Sequence, residues 1–403
     1  MDKVLRSKRI LMVPIIVVVV LGLIIMSAVL PMVKMNPKNV PIGLVVEDQG
    51  QMGHMLAEKF SENVPDMISL KRYDSIEVLQ SAMDEREVYG ALVLPEDFSS
   101  KIATLQSENP EKAYVEIYIN EGANTMLSSV IETALTNIVG VLNTQLSSQM
   151  LMNIQQKTEE LREQIKPLIE AQGENSPLAQ IADMISPIEP NKVLDFAQPI
   201  EFEVVKYNET GILGNAPIAY IMATWFTSII GAVVLYLIGT KRTFASRKEK
   251  LKFHTFQSIM PFVYAIIAGY ILAWYSTLVY GFELESLNKV ALFIALCVAT
   301  FIYMIFVTLR WLRLPSIILF VLLMFFSMPS IMLAPEVVPE FYRDYIFSWL
   351  PMRFYADGIR DLLFFSKDVI NSYSIVLVWI LIVSFILVWV KNLIEKQEEN
   401  LNS

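Results

Sequence analysis

Long apolar runs alternate with polar segments along this chain, and the spacing between the runs is uneven. A helix that crosses the roughly 30 Å hydrocarbon core of a bilayer needs about 20 mostly apolar residues. Six runs reach or approach that length without Lys, Arg, Asp or Glu in their interiors: 10–33, 217–240, 259–280, 290–309, 315–333 and 373–391. The third to fifth fill residues 258–334. The pattern predicts a polytopic α-helical membrane protein with six transmembrane helices, one before a long polar block and five after it (1 + 5).

The first run is longer than the apolar region of a cleavable signal peptide, which covers about 7–15 residues. It ends in Pro31-Met32-Val33-Lys34 rather than in a run of small residues. We interpret it as an uncleaved membrane anchor.

Basic residues occupy alternate ends of the predicted spans, as they do where loops face the cytoplasm. They are Lys3, Arg6, Lys8, Arg9, then the six between spans two and three, then Arg310, Arg313, Lys391 and Lys396. The opposite loops carry Glu283, Glu285, Glu336 and Glu340. One topology satisfies every loop: the termini, 1–9 and 392–403, are cytoplasmic and the block 34–216 is extracellular.

The block 34–216 shows the alternation of a small α/β domain. Strand-like runs are expected near 40–47, 89–94 and 111–120, and helical spacing recurs at 51–63 and 75–87. Strands that alternate with helices of this length indicate α/β units. Residues 171–190 have the composition of a loop, and 193–207 return as a strand pair or as an extended lead into the second span.

A long amphipathic helix is predicted from Ala123 to about Lys166. Apolar residues recur there every three to four positions, and Pro167 is expected to end the helix. Gly140 is a candidate break. We interpret the apolar stripe as a packing face, in the domain core or in a dimer, with substrate contact as the alternative.

Composition excludes several kinds of chemistry. The net charge of −9 arises mostly in the acidic external block and gives no basic face for nucleic acid. The single cysteine, Cys297, lies within the fourth span, so the external domain has no disulfide. The two histidines, His54 and His254, fall on opposite sides of the predicted membrane and favour no metal site or catalytic triad. No GxxxxGK[ST] loop is present to hold nucleotide phosphates. The chain alone is not expected to be an enzyme.

The absence of charges inside the spans bears on energy coupling. Ion-coupled transporters carry ionisable residues near the bilayer midplane, and the predicted spans have none. An ATP-driven exporter instead keeps its energy source on a separate cytoplasmic ATPase. Its membrane subunit needs a contact surface for that ATPase, a helical bundle and an outer gate.

Three stretches resemble one family of such subunits. They are residues 42–50 (IGLVVEDQG), 89–99 (YGALVLPEDFS) and 350–360 (LPMRFYADGIR). In this order, and at this spacing from six spans, they resemble the ABC type-two exporter permeases. The closest likeness is to the branch with a large extracellular domain that includes the phage-infection-protein-like permeases.

The resemblance implies two paired permeases, as a homodimer or heterodimer, bound to two cytoplasmic ABC ATPase subunits in a bacterial plasma membrane. The ATP and Mg belong to those ATPases, and no cofactor is expected on this chain. Within the cytoplasmic segment 241–257, a basic stretch with an aromatic end is the candidate ATPase coupling element. Its residues are Lys241, Arg242, Arg247, Lys248, Lys250, Lys252, Phe253 and Phe256. Contact with anionic membrane lipid is the alternative.

The segment 335–372 is too polar to span a membrane and too apolar to be a free loop, and it is rich in aromatic residues. Aromatic residues favour the membrane–water interface. Pro351 and Gly358 are expected to bracket a short helix whose charged residues fall within i, i+3 and i, i+4 reach. We predict a re-entrant outer gate, with an interfacial collar as the alternative. Its candidate residues are Pro351, Arg353, Tyr355, Asp357, Gly358, Arg360 and Asp361.

The second and third spans hold a few polar residues that are a weak candidate substrate path: Thr224, Trp225, Thr227, Ser228, Ser276 and Thr277. A path without charges suits amphipathic cargo such as antibiotics, hydrophobic peptides or lipid-like compounds. Helix–helix contact is the alternative role. For the whole chain, the alternatives to an exporter permease are a membrane-anchored protein that recruits a partner and an ion-coupled transporter.

Overall fold

The computed structural model describes residues 8–35, 37–105, 111–172 and 198–401. Side chains are described in the same ranges except at 8–17, 168–172, 247 and 395–401. The described chain forms two compact units. One comprises residues 38–123 and 127–207, and the other comprises the remaining described residues.

The first unit is built on a five-stranded sheet. Its strands are β1 (Val40–Val46), β2 (Ile68–Tyr73), β3 (Gly90–Leu94), β4 (Ala113–Asn120) and β5 (Ile200–Tyr207), in the order β2-β1-β3-β4-β5. The pairs β1–β2, β1–β3 and β4–β5 are parallel, whereas β3–β4 is antiparallel. All five residues of β3 are buried, as expected for a central strand covered on both faces.

Helix α1 (Lys8–Val33) belongs to the second unit. The helices of the sheet unit are α2 (Gln51–Asn63), α3 (Ile76–Asp84), α4 (Phe98–Thr104) and α5 (Thr125–Gln172). Helix α3 begins at Ser75, whose side chain accepts a hydrogen bond from the Val78 N–H and so satisfies one of the free amides of the first turn. Asn120 closes the far end of β4, since its side-chain amide donates to the carbonyls of Met83 and Val88.

Helix α5 is longer than predicted. It passes through Gly140 without a break and contains Pro167 rather than ending there. Proline removes one backbone donor and crowds the preceding turn, but the helix continues beyond it to Gln172. Buried Leu135 and Leu142 lie on its apolar stripe. Asn143 joins the helix to β5, because its side chain both accepts from the Ile200 N–H and donates to the Ile200 carbonyl, at 3.1 Å each.

Two elements of this unit were not predicted, β2 and α4. Strand β2 reads ISLKRY and is half-exposed at the sheet edge, so it lacks the apolar run that marked its neighbours. Helix α4 has seven residues, too few to show a helical period. The predicted strand pair at 193–207 is a single strand over its described part, and residues 173–197 lie outside the described residues.

The second unit is a bundle of apolar helices. Its long members are α1 (Lys8–Val33), α6 (Ala216–Thr240), α7 (Arg247–Val279), α8 (Leu287–Leu312), α9 (Ile317–Met332) and α12 (Ser372–Leu401). Between α9 and α12 lie α10 (Glu340–Tyr345) and α11 (Pro351–Phe364). The predicted terminal segments are only partly described, because residues 1–7 and 402–403 fall outside.

Helix α8 lies at the centre of this bundle. It is apolar around its whole circumference and is buried over most of its length, as expected for a helix surrounded by others. Ser286 caps its start by accepting from the Lys289 N–H, and Arg313 ends it with a positive φ of 64°.

Six helices of the described chain are long and apolar enough to cross a membrane by length and composition. Five match the predicted second to sixth spans, and the sixth is the stretch Thr125–Pro167 of α5. At the first predicted span, the part of α1 with described side chains, Val18–Val33, is a shorter apolar helix. The described chain is therefore a polytopic helical protein.

Candidate functional site

Helix α11 is amphipathic but mostly buried. Leu350 precedes it in an extended conformation and Pro351 occupies its first turn, where a missing N–H costs little. Tyr355, Ala356 and Ile359 are fully buried on one side. Gly358 lies inside the helix and does not end it as predicted, because the helix continues to Phe364.

Three contacts fix α11 to three different long helices. The hydroxyl of Tyr355 is hydrogen-bonded to Thr224 Oγ1 of α6 at 2.8 Å. Gly358 faces the ring of Phe293 on α8 so closely that a Cβ atom would overlap it. Arg360 donates to the carbonyl of Ile331 near the end of α9, where a cation also suits the helix dipole. The helix is therefore held as part of the bundle rather than laid on its surface.

A cluster of charges lies along the same helix. Asp357 is buried, with Arg353 at 3.5 Å on one side and Arg360 at 3.4 Å on the other. The Arg353 guanidinium also lies 4.5 Å from the centre of the Phe347 ring, within the range of a cation–π contact. Asp361 is buried one turn further on. Of the predicted contacts, the structure brings together both arginines and Asp357.

The predicted coupling loop is mostly helical. Residues 241–246 form a turn, and α7 starts at Arg247 because Ser246 caps it, accepting from the Glu249 N–H. The basic residues from Arg247 to Lys252 thus lie in the first turns of the helix that continues as the third long apolar segment, whereas Lys241 and Arg242 precede it. Its Pro261 lies one turn beyond the predicted end of the coupling loop.

Arg242 organises the turn before α7. Its guanidinium lies 4.9 Å from the centre of the Phe253 ring and 5.8 Å from that of Phe244, and its Nη2 is 3.4 Å from Glu249 Oε1. Glu249 also accepts from the Ala245 N–H. Arg242 and Phe253 therefore hold the turn against the start of α7 through these contacts.

The other coupling candidates are more accessible. Lys241, Lys248, Lys252 and Phe256 are exposed, whereas Lys250 is half-buried. The side chain of Arg247 lies outside those described. The coupling segment 241–257 therefore exposes lysines and one phenylalanine, while the contacts of Arg242 hold its turn against the start of α7.

Most residues of the weak substrate path are packed. Thr224, Trp225, Ser228 and Ser276 are buried, and the Trp225 ring meets Phe301 edge-on with 5.0 Å between ring centres. Ser276 is hydrogen-bonded to Tyr220 at 2.5 Å. Thr227 is exposed, Thr277 half-buried, and both donate to carbonyls of their own helices. This geometry favours the helix-contact alternative for the buried ones.

Some residues that matter at this site could not be identified from the sequence pattern. Three such groups are Phe293, Phe244 and the carbonyl of Ile331. A phenylalanine within an apolar run, or a backbone oxygen, has no distinctive sequence pattern that would mark it as functional. Thr224 was assigned to a path rather than to Tyr355, because the two residues are 131 positions apart.

A bundle of membrane-length helices with an inserted charged helix is the architecture of an integral membrane protein. The family model described as "ABC-2 family transporter protein" matches residues 8–390. The chain therefore belongs to the ABC-2 transporter family and is a multi-pass permease subunit that is not itself the ATPase. Membership implies association with ABC ATPase subunits. The curated proteins include no match, and neither do the solved structures.

Proposed function

We propose that this chain is the permease of an ABC exporter that moves amphipathic cargo out of the cell, powered by separate ATPase subunits that hold the ATP and Mg. The observation that carries the proposal is helix α11. It inserts a buried Arg–Asp–Arg cluster among the long apolar helices and is anchored to α6, α8 and α9. A charged helix held at such a place suits an outer gate better than a surface collar.

The proposed topology has one span, an extracellular α/β domain and five further spans, with both termini in the cytoplasm. The charge pattern of the loops supports it. Helix α5 meets the length and composition limits of a span, yet its apolar stripe is buried within the sheet unit and its Asn143 pairs with β5. We therefore place α5 with the extracellular domain.

The cargo class follows from the chemistry of the bundle. Among described residues, the long helices carry hydroxyl and indole groups rather than free charges in their apolar windows. Such surroundings suit compounds with a large apolar part, such as antibiotics, hydrophobic peptides or lipid-like molecules. A second permease, identical or not, completes the assembly, and the three motif-like stretches support the branch with a large extracellular domain.

The test is substrate-stimulated ATP hydrolysis. The full chain is purified with its partner ATPase, reconstituted in liposomes, and challenged with a panel of amphipathic compounds. We expect at least one compound to raise hydrolysis severalfold over the ATPase alone. Unchanged hydrolysis across the panel, with the ATPase bound, would contradict the export function.

The gate is tested separately through Arg353→Ala and Arg360→Ala. Each removes one partner of the buried Asp357 carboxylate, so the cluster loses charge compensation. We expect transport to fall by about tenfold or more while ATPase binding persists. Arg343→Ala is the matched control, because Arg343 pairs with the exposed neighbour Asp344. Loss of assembly in the first two variants would indicate a structural role only.

A second function, recruitment of a partner by the α/β domain, is favoured by one observation. Residues 38–207 contain a compact unit with its own buried core. If no ATPase co-purified with the chain while a protein bound this domain, recruitment would replace export as the main role.

A further inference from the structure

The segment between α9 and α11 has a row of exposed aromatic side chains. Phe341, Tyr345 and Trp349 are spaced four positions apart, which places them on one face of a helical segment, and they are 68%, 69% and 56% exposed. The Phe341 and Tyr345 rings lie 5.3 Å apart, measured between their centres. The Trp349 indole N–H donates to the Tyr345 carbonyl at 2.7 Å. We name Phe341, Tyr345 and Trp349 the α10 aromatic row.

The other side of this segment packs on the ends of two apolar helices. Tyr342 and Phe347 are buried in one cluster with Leu333. Met32, near the end of α1, and Met332, at the end of α9, pack against the same cluster. Helix α9 is part of a stretch that is long and apolar enough to cross a membrane. The row therefore lies close to the level at which these helices leave the hydrocarbon core.

The chemistry of the row fits a membrane–water interface. Tyrosine and tryptophan are enriched there, because the ring contacts acyl chains while the hydroxyl or indole N–H faces water. Arg343 and Asp344 lie between Phe341 and Tyr345 in the chain and form an ion pair, with 3.0 Å between Arg343 Nε and Asp344 Oδ1. A protein packed on the row would desolvate this pair at a cost, whereas headgroups and water keep it solvated. Lipid is the occupant that suits both the rings and the charges.

The row also borders the start of α11. Trp349 precedes Pro351, the first residue of α11, by two positions. The neighbouring Phe347 ring lies 4.5 Å from the Arg353 guanidinium of α11. A row fixed at the membrane boundary would therefore fix the first turn of α11 as well.

We propose that the α10 aromatic row inserts into the lipid interface and contacts the glycerol and upper acyl-chain region of phospholipids. The two short helices then divide the segment between them, because α11 is held inside the bundle while the row faces lipid. The row anchors the start of α11 at the membrane boundary. The proposal rests on the multi-pass membrane character of the chain, and it depends neither on the cargo nor on the direction of transport.

The first experiment measures the surroundings of position 345 in the full chain. Tyr345→Cys is labelled with a fluorophore, while the buried Cys297 stays unlabelled. In phosphatidylcholine liposomes, nitroxide groups near the top of the acyl chains quench labels that contact lipid, and iodide quenches labels in water. We expect the ratio of nitroxide to iodide quenching to be severalfold higher than for the neighbouring control, Asp344→Cys.

Two results of this experiment would overturn the proposal. Equal ratios at the two positions would mean that the row has no side directed toward lipid. A label at position 345 that neither quencher reaches would mean that protein covers the row.

The second experiment keeps an aromatic ring in place, so that misfolding does not explain its result. Brominated phosphatidylcholine quenches indole groups that contact lipid, and Trp349→Phe should reduce the part of the emission that it quenches. Trp225→Phe is the matched control, because the Trp225 ring is fully buried beside Phe301 and its loss should reduce only the unquenched emission. An unchanged quenched part in Trp349→Phe would overturn the proposal.

Discussion

Asp48 is buried just after β1, beside the turn that follows β3, and the helices α2 and α4 that these turns lead into contact each other. Open α/β sheets often bind ligands just outside the carboxyl ends of their strands. Here the carboxylate accepts from the Gly50 N–H and the Ser99 N–H, at 3.0 Å each, and from the Ser99 hydroxyl. The Ser99 Oγ in turn accepts from the Gly53 N–H. The Asp48 carboxylate thus occupies the position at which an external anion could otherwise bind.

Asp48→Ala should loosen this end of the sheet. A buried carboxylate that accepts several hydrogen bonds is worth about 1.5–3 kcal/mol for each charged bond lost, less any relaxation. We expect amide hydrogen exchange to accelerate in peptides covering residues 43–53 and 90–105 of the full chain. Asp97→Ala, which removes only a surface pair with Lys101, is the control. Equal exchange in the two variants would contradict the structural role of Asp48.

Gly358 allows α11 to approach α8. Gly358→Ala would place a methyl group against the Phe293 ring, and overpacking of this kind costs about 1–3 kcal/mol. We expect a lower unfolding midpoint and lower substrate-stimulated hydrolysis. Phe293→Leu in the same chain should restore both by making room. Failure of the rescue would mean that Gly358 matters for a reason other than this contact.

At the scale of elements, sequence pattern predicted the long apolar helices and the central strands because each repeats its signal over many residues. It missed β2 and α4, which are short and half-exposed. It ended α5 at Pro167, because proline interrupts most helices, whereas this helix continues to Gln172. The contacts that hold α11 in the bundle were not predicted for another reason. Tyr355 and Thr224 are far apart in sequence and come together only in the tertiary fold, which sequence periodicity does not reveal.

The start of α7 is expected to contact the ATPase through its exposed lysines. Lys248 and Lys252 are exposed on a helix braced by Arg242, so their charges are available to a partner. Lys248→Gln with Lys252→Gln should weaken ATPase binding about fivefold or more and flatten its salt dependence, since screening acts on exposed charges. Co-purification at low and high salt measures both.

The matched control removes two exposed lysines from α5, Lys157→Gln with Lys166→Gln. This pair should leave ATPase binding as it is. A weakening of equal size in the control would assign the effect to net charge rather than to the coupling segment.

At the scale of the whole molecule, the single cysteine gives direct access to topology. Cys297 is fully buried and burial leaves it unreactive. Lys157→Cys and Lys248→Cys each add one exposed thiol. In intact cells, a membrane-impermeant maleimide should label the first, whereas the second should react only after permeabilisation. The unsubstituted chain is the background control, and the reverse labelling pattern would invert the proposed orientation.

Helix α8 has one more consequence for assembly. Because it is enclosed by its own neighbours along most of its length, it has almost no surface to offer another protein. The second permease that we propose would therefore meet this chain through peripheral helices such as α7 or α12, which leave most of their apolar windows uncovered. Cross-linking between the paired permeases should then map to those outer faces, and little of it should map to α8.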